Sequence, residues 1–397
     1  MSAAAPTASV VIPHFQDPRR LDLVLTALEL QDLGAEAFEV IVADDGSSTP
    51  PQPGPRPYAV QVVGHEDLGN RTGPARNLGA AAAHGAMLVF LDGDTVPEPG
   101  FLRELLEAAG GAKLTVGRRR HADLSDLSPD ALRQWLGAGG PAPPILSEPA
   151  WLADAYARSA DLAETDLRSY RFIISAVLAC PRALFERVGG FAEELVGYGG
   201  EDWELARRCW LAGADFAYAP RAVGWHDGPD LAGRPEDIAV VKNAETIRLA
   251  QLITDPHLRG RGLIWASPRI VVRCGFTPET TDARRIACVE SLLGAGDIGV
   301  WLGRGAALPL VDPRVHLGLP GAAVLGRAEL IVDLTEPVVV EPGTFADWQR
   351  GAPARFGAAV ACSPRDAALG RVPTEGPPAV VVPDGLELER WFASREP

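Results

Sequence analysis

The chain has 397 residues, with 37 Lys plus Arg against 52 Asp plus Glu, so its formal net charge is −15. This length exceeds what one compact core usually holds and predicts two domains. The hydrophobic fraction of 47% and the charged fraction of 22% exclude a disordered or fibrous chain. The acidity argues against a nucleic-acid partner, because the phosphate backbone would be repelled. A small anionic phosphate ligand would need a metal ion or a local Arg and N–H site.

The cysteines and the N-terminus indicate the cellular compartment. The five cysteines are odd in number and form no CxxC pair, which predicts reduced thiols rather than a disulfide framework or a zinc site. Residues 1–15 have no basic n-region, so no signal peptide is expected. The apolar runs fall short of the ~18 to 20 residues that span a bilayer. We therefore expect a cytoplasmic protein without a transmembrane segment.

The first part of the chain alternates apolar strands with amphipathic helices. The predicted strands are 9–13, 38–43, 58–63 and 87–91, and the predicted helices are 20–31 and 75–84. This alternation predicts an α/β fold on a mainly parallel sheet that is covered on both faces. Such sheets bind ligands at the carboxyl ends of their strands.

The pattern continues to a Pro- and Gly-containing stretch at 255–262, which predicts a domain boundary. Before it we predict strands at 172–179 and 216–219 and helices at 201–212 and 235–253. After it we predict strands at 269–274, 298–302, 329–334 and 379–382 and a helix at 281–293. The predicted domains are thus 1–255 and a smaller α/β domain at 263–397. Asp-x-Arg-Arg at 17–20 recurs at 282–285, which indicates either coincidence or a degenerate copy.

Acidic residues follow two of the apolar strands. Asp92 and Asp94 come directly after the strand at 87–91, and such carboxylates can hold Mg²⁺ or Mn²⁺ against a diphosphate. Short Asp-x-Asp triplets are also plain turns. Asp44 and Asp45 precede Gly-Ser-Ser, which is typical of a capped turn but would also suit hydrogen bonding to a base or ribose.

Two later positions carry further candidates. Glu201 and Asp202 stand at a predicted helix start, where the helix dipole keeps a carboxylate ionised and able to act as a base. An acidic first turn also serves helix stability alone. His226 follows a strand and precedes a glycine, where a neutral imidazole can ligate a metal or simply pack.

Seven short motifs occur in order along residues 8–228. They are Val-Val-Ile-Pro-His-Phe at 10–15, Ala-Asp-Asp-Gly-Ser-Ser at 43–48, Gly-Pro-Ala-Arg-Asn-Leu-Gly at 73–79, Phe-Leu-Asp-Gly-Asp at 90–94, Gly-Gly-Phe at 189–191, Gly-Gly-Glu-Asp at 199–202 and His226. The ordered set resembles the family-2 glycosyltransferases of the GT-A fold, a Rossmann-like α/β fold. Its Gly-Gly-Glu-Asp segment is similar to the galactosyl- and N-acetylgalactosaminyl-transferase branch.

The resemblance implies a role for each matching residue. Pro13, Phe15, Asp44 or Asp45, and Arg76 would line the nucleotide pocket. Asp92 and Asp94 would bridge ribose, metal and diphosphate, and His226 would complete the metal shell. Asp202 would act as the base, while Glu201 and Trp203 would orient acceptor or donor sugar. The cofactor would be Mn²⁺ or Mg²⁺.

The implied function is a metal-dependent hexosyltransferase that moves a sugar from a nucleotide-sugar, expected to be a UDP-sugar, to an acceptor hydroxyl. Inversion is expected, but related Gly-Gly-Glu folds also run retaining reactions, so the stereochemistry is left open. The acceptor is left open as a glycan, a natural product or a peptide. The second domain would serve dimerisation, giving a homodimer, or acceptor binding. One alternative is a non-catalytic scaffold that binds a sugar or partner. Another is a sugar-phosphate nucleotidyltransferase, although residues 10–20 lack the glycines of its phosphate loop.

Overall fold

The computed structural model describes residues 5–67, 69, 71–197, 199–229, 238–260, 262–303 and 307–395. The chain divides into two compact units. The first comprises 1–210 and 214–245, and the second 211–213 and 246–397. The division falls within a helix, Ile238–Leu252. The domain bounds 1–255 and 263–397 stay a prediction.

The first unit is built on a nine-stranded sheet. Its strands are β1 Ala8–His14, β2 Phe38–Asp44, β3 Ala59–Gly64, β4 Met87–Leu91, β5 Thr95–Pro97, β6 Leu114–Ala122, β7 Ile145–Leu146, β8 Val177–Pro181 and β9 Phe216–Asp227. The order is β3-β2-β1-β4-β8-β6-β9-β5, with β7 beside β6. The neighbours β3, β2, β1 and β4 pair in parallel, as do β6 and β9. Strand β8 pairs antiparallel with β4 and β6, β7 with β6, and β5 with β9.

Seven helices and one 3₁₀ turn of the first unit surround this sheet among the described residues. They are α1 Pro18–Leu28, α2 Thr72–Ala81, α3 Phe101–Ala109, α4 Pro129–Ala138, α5 Ala150–Arg158, the 3₁₀ turn Ser169–Phe172, α6 Arg182–Val188 and α7 Glu201–Leu211. Helix α1 shows how the sequence sets such a start, because Asp17 accepts a hydrogen bond from the Arg20 N–H and Pro18 occupies the first turn.

The second unit contains a separate sheet. Its strands are β10 Ile270–Cys274, β11 Ile298–Leu302, β12 Val315–Leu317, β13 Leu330–Leu334, β15 Ala354–Phe356, β16 Ala359–Cys362 and β17 Thr374–Glu375, in the order β12-β11-β10-β13-β16-β15-β17. Strands β14 Val338–Val339 and β18 Val380–Val381 pair separately. The helices are α8 Ile238–Leu252, which lies in this unit from Thr246 onward, α9 Asp282–Gly294, α10 Ala322–Arg327, α11 Thr344–Gly351, α12 Pro364–Ala368 and α13 Leu388–Ala393.

The predicted fold class is confirmed: an α/β domain on a mainly parallel sheet precedes a smaller α/β unit. Strands β1, β2 and β4 form because their near-continuous apolar runs are buried on both faces. All five cysteines are free, as expected. None of the helices in the described part of the chain has the length and apolar character needed to cross a bilayer.

Two strand predictions need correction. The strand predicted at 172–179 is confined to β8, because Ser169–Phe172 forms the 3₁₀ turn and 173–176 connect the two. The strand predicted to end at 219 continues to Asp227. The pairing of β9 with β6 is interrupted by a bulge between Ala219 and Val223. Pro220 lies in this bulge, where its missing N–H group is tolerated, so the strand continues beyond it. Of the helix predicted at 235–253, residues 235–237 lie outside the described residues.

Tight packing of α2 on β1 depends on a glycine. A Cβ placed on Gly79 would lie 2.5 Å from Val11 Cγ1. We expect Gly79→Ala to lower the free energy of unfolding by about 1–3 kcal/mol, because the core there has no room. Urea denaturation would measure this. The matched control is Gly137→Ala in α4, where the new methyl group would meet only Leu30 Cδ2 at 4.0 Å and stability should not fall. Equal effects of both substitutions would contradict the close approach.

Candidate functional site

The carboxyl ends of β1, β2 and β4 meet at one edge of the sheet. In the parallel register His14 pairs with Asp44, and Val11 pairs with Phe90 near the end of β4. A cavity of about 280 Å³ opens at this edge. It is lined by Pro13, His14, Phe15, Asp17, Arg20, Asp45, Thr72, Arg76, Asp92, Gly93, Asp94, Gly197, Gly199 and Glu201. The edge is where an α/β sheet ordinarily binds its ligand.

The cavity brings together most of the predicted site residues. Seven of them line it: Pro13, Phe15, Asp45, Arg76, Asp92, Asp94 and Glu201. Four others do not: Asp44, Asp202, Trp203 and His226. The motifs after β1, after β4 and at the start of α7, which are far apart in the sequence, therefore share one cavity.

Arg76 joins two of these motifs. Its side chain is 2% exposed, and Nη2 donates to Asp92 Oδ1 at 2.6 Å while Nη1 donates to Glu201 Oε1 at 2.9 Å. Burial by itself would lower the pKa of Arg76, but the charges and hydrogen bonds of Asp92 and Glu201 outweigh it and raise the pKa. The guanidinium is therefore a permanent cation that holds both carboxylates at the cavity wall.

Asp94 and His226 form a second polar pair. Their Oδ1 and Nδ1 atoms are 3.2 Å apart, and strand β5 pairs Thr95 directly with His226. Burial pushes the pKa of Asp94 upward, but the hydrogen bond and charge of His226, together with the charge of Arg20, outweigh burial and lower it. The ring of His121 packs edge-on against His226 with centroids 5.1 Å apart. Asp94 is thus an ionised carboxylate beside an imidazole at the cavity.

The two neighbouring aspartates at the end of β2 have different hydrogen-bond partners. Asp44 caps its own turn: Oδ1 accepts a hydrogen bond from the Ser47 hydroxyl at 2.6 Å. Asp45 lines the cavity, and its Oδ2 accepts a hydrogen bond from the Arg71 N–H at 2.9 Å while Oδ1 lies 3.2 Å from His65 Nε2. Burial raises the pKa of Asp45. Of the pair left open by the sequence, the geometry favours Asp45 for ligand contact and Asp44 for the turn.

Asp202 is half-buried and follows Glu201 in the first turn of α7. Its Oδ1 accepts a hydrogen bond from the Trp203 N–H at 2.8 Å, and its Oδ2 accepts one from the Ser175 N–H at 3.3 Å. Burial, followed by the neighbouring charge of Glu201, raises the pKa of Asp202 to about 7, although Arg76 opposes the shift. Such a carboxylate exchanges a proton near neutral pH, as a general base must.

Trp203 is held away from the cavity. Its indole packs edge-on against the Tyr170 ring with centroids 6.2 Å apart, and Lys242 Nζ lies 5.8 Å from the indole ring. The predicted role of Trp203 in orienting a sugar has no support from the cavity lining and stays a prediction.

The predicted three-residue metal shell is not assembled. Among the described residues, no group of three His, Cys, Asp or Glu side chains is placed to hold a metal ion. Asp92 instead bonds Arg76, which leaves Asp94 and His226 as the neighbouring donors. A carboxylate beside an imidazole still fits Mg²⁺ or Mn²⁺, because these ions commonly take one or two protein ligands and complete their shell with substrate phosphates.

Sequence reasoning missed several residues that line the cavity. Arg20, one turn into α1, donates from Nε to Asp227 Oδ2 at 2.8 Å and forms an ion pair with Asp17. It places a second cation at the cavity near Asp94. The position of Arg20 shortly after the carboxyl end of β1 could have predicted that it lies at the cavity. Thr72, Gly197 and Gly199 also line the cavity.

Two family models match this region of the chain. Residues 9–134 match the model described as Glycosyl transferase family 2. Residues 156–225 match the model described as N-terminal domain of galactosyltransferase. With the exception of His226, these ranges contain all the site residues predicted from the sequence.

Curated relatives are similar over the same part. Validoxylamine A glucosyltransferase of Streptomyces hygroscopicus subsp. jinggangensis is 33% identical over 242 residues, covering 55% of this chain and 55% of that protein. Chondroitin synthase of Escherichia coli is 26% identical over 312 residues, covering 72% of this chain and 44% of that protein. The chain thus spans about half the length of the curated relatives it matches.

A solved structure, S. aureus TarS 1-349 in complex with UDP, is also similar. It has a TM-score of 0.41 at 17% sequence identity, covering 61% of this chain and 65% of that chain.

The raised pKa of Asp202 predicts a pH-dependent effect on stability. Its folded-state pKa, about 7, lies above its ordinary value of 3.8, so ionising it costs folding free energy as the pH rises from about 4 through 7. We expect Asp202→Asn to stabilise the fold by at least about 1 kcal/mol at pH 8, with the gain vanishing near pH 4. Denaturant unfolding across this range would measure it. Asp130→Asn, at a side chain 90% exposed, is the control. A gain that does not change with pH would contradict the raised pKa.

Proposed function

We propose that this chain transfers a sugar from a nucleotide-sugar donor, with a UDP-sugar as the expected donor, to an acceptor hydroxyl. The observation that carries the proposal is the cavity at the carboxyl edge of β1, β2 and β4, where Arg76 ties the Asp92-Gly-Asp94 motif to Glu201. The matches of two glycosyltransferase models to residues 9–134 and 156–225 support it.

The nucleoside would occupy the side of the cavity formed by β1 and β2. Phe15 is 49% exposed there and offers an aromatic face to a base, and Asp45 offers a carboxylate to a base N–H or a ribose hydroxyl. This placement leaves the diphosphate beside Asp92 and Asp94.

The charge of the lining sets a requirement for the diphosphate. Asp17, Asp45, Asp92, Asp94 and Glu201 contribute five carboxylates, while Arg20 and Arg76 contribute two guanidiniums. Both guanidiniums already bond carboxylates, so they cannot by themselves offset a diphosphate. A divalent ion, when bound at Asp94 and His226, would supply the missing positive charge and stabilise the leaving group.

Asp202 would take the proton of the acceptor hydroxyl. The two backbone N–H groups that bond its carboxylate fix its orientation, and its pKa of about 7 lets it hold that proton at neutral pH. The acceptor oxygen then bonds the anomeric carbon as the bond to the diphosphate breaks. Attack from the face opposite the leaving group inverts the anomeric configuration.

The base role of Asp202 is tested by separating turnover from donor binding. Donors are first selected by thermal shift from UDP-, GDP- and dTDP-sugars with Mn²⁺, and turnover is then followed as nucleoside diphosphate release. We expect Asp202→Asn to lower kcat by about 10²–10⁴-fold, the usual contribution of a general base, with the donor Kd within about twofold. Asp130→Asn should leave both quantities unchanged.

Two results would count against the proposal. Near-normal turnover by the Asp202→Asn variant would remove the base role. A wild-type protein that binds the donor but releases no nucleoside diphosphate, with or without acceptor, would favour a non-catalytic sugar-binding scaffold.

A further inference from the structure

The first unit has a second depression, which shares no lining residue with the cavity at the carboxyl edge of β1, β2 and β4. It measures about 600 Å³ and lies between the end of α5 and the 3₁₀ turn Ser169–Phe172. We call it the arginine cavity, because its lining includes Arg158, Arg168 and Arg171 together with Ser159 and Phe172.

Two of these arginines are unusual for so acidic a chain. Within the part of the chain that the structure describes, the side chains of Arg158 and Arg168 make no hydrogen bond or ion pair, whereas acidic partners engage most other arginines. Of the two carboxylates in the lining, Asp166 is engaged by the Arg168 N–H at 2.8 Å and by the Ser169 hydroxyl. The other carboxylate in the lining is that of Glu164. Arg158 and Arg168 therefore keep their donors available to an anion.

The turn between Ser159 and Glu164, two residues that line the arginine cavity, is strained. Ala160, Asp161 and Leu162 have φ of 48°, 55° and 64°, three successive non-glycine residues in the left-handed region. Ser159 Oγ holds this run by accepting a hydrogen bond from the Leu162 N–H at 3.2 Å, and Leu162 is buried. Such conformations persist only where the surroundings enforce them, and they cluster at binding sites. The strained run fixes the end of α5, which carries Arg158.

The arginine cavity is connected to Asp202 by the chain itself. Phe172 lines the cavity, and three residues further on the Ser175 N–H bonds Asp202 at 3.3 Å. Three residues extend over at most about 11 Å. The same segment packs on α7, because Tyr170 contacts Trp203 and the Arg207 guanidinium lies 5.4 Å from the Tyr170 ring. The arginine cavity thus lies within about 11 Å of chain from the backbone N–H group that bonds Asp202.

We infer that the arginine cavity binds the acid group of the acceptor, a carboxylate or phosphate on a sugar or polyol whose free hydroxyl reaches Asp202. The inference rests on the proposed function. Guanidinium groups recognise both anions through paired, charge-assisted hydrogen bonds. Arg158 and Arg168 are specificity residues in this assignment, because they bind the acceptor away from the reacting atoms.

The test compares acceptors that differ only in the group at C6, which is a hydroxyl, a carboxylate or a phosphate. The probes are glucose, glucuronic acid and glucose 6-phosphate, and the readout is kcat/KM for each with the donor selected above. We expect the wild type to prefer an anionic probe over glucose by at least about tenfold. The variant Arg158→Gln/Arg168→Gln should lose this preference, because its kcat/KM for the anionic probe should fall at least about tenfold more than its kcat/KM for glucose. The two anionic probes distinguish a carboxylate site from a phosphate site.

Control measurements separate this inference from the proposed function. Arg221→Gln removes a charge at a side chain 77% exposed and paired with Glu104, and it should keep the anion preference. Donor-only release of nucleoside diphosphate should be equal in all variants. Calorimetric titration of both anionic probes into the UDP-loaded protein reports acceptor binding without turnover.

Each outcome bears on the inference. If the wild type shows no turnover, the proposed function fails. In that case, anion binding that is about tenfold weaker in the double variant still supports an anion site in the arginine cavity. The inference is overturned if the wild type has the same kcat/KM for neutral and anionic probes. It is also overturned if the wild type binds neither anion. A double variant that keeps the preference overturns it as well.

Discussion

A buried guanidinium organises the site. Arg76 is 2% exposed, and a charge so enclosed is tolerated only when it is paired. Its two partners are far apart in the sequence: Asp92 follows the end of β4, and Glu201 begins α7. Removing either carboxylate would leave the buried guanidinium with one acidic partner instead of two, which is destabilising. The ion pairs therefore fix the distance between the strand-end aspartates and the acidic start of α7.

The same arrangement gives the acids of the site separate tasks. Asp92 and Glu201 share the single positive charge of Arg76, and Asp94 is kept ionised beside His226 and Arg20. Asp202, which makes no bond to Arg76, is left with a pKa of about 7. Neighbouring carboxylates with different environments are how proteins divide binding from proton transfer. The site can thus present both ionised carboxylates and a carboxyl group that titrates near neutral pH.

Much of the site region could be predicted from the sequence because its signals are local. The apolar runs of β1, β2 and β4 and the acids that follow them place those acids at one edge of a parallel sheet. The choice between Asp44 and Asp45 could not be predicted, since it depends on which carboxylate the Ser47 hydroxyl captures. The pairing of Arg76 with Glu201 depends on a long-range contact that no local pattern encodes. Helices α3 to α6 and the arginine cavity were likewise not predicted.

The most direct measurement is a crystal structure of the protein with UDP and Mn²⁺ bound. We expect the diphosphate in the cavity at the carboxyl edge of β1 and β4, with the ion between it and Asp94 and with Arg76 still bonded to Asp92 and Glu201. An ion bound away from Asp94, or a diphosphate outside this cavity, would contradict the assignment of the site.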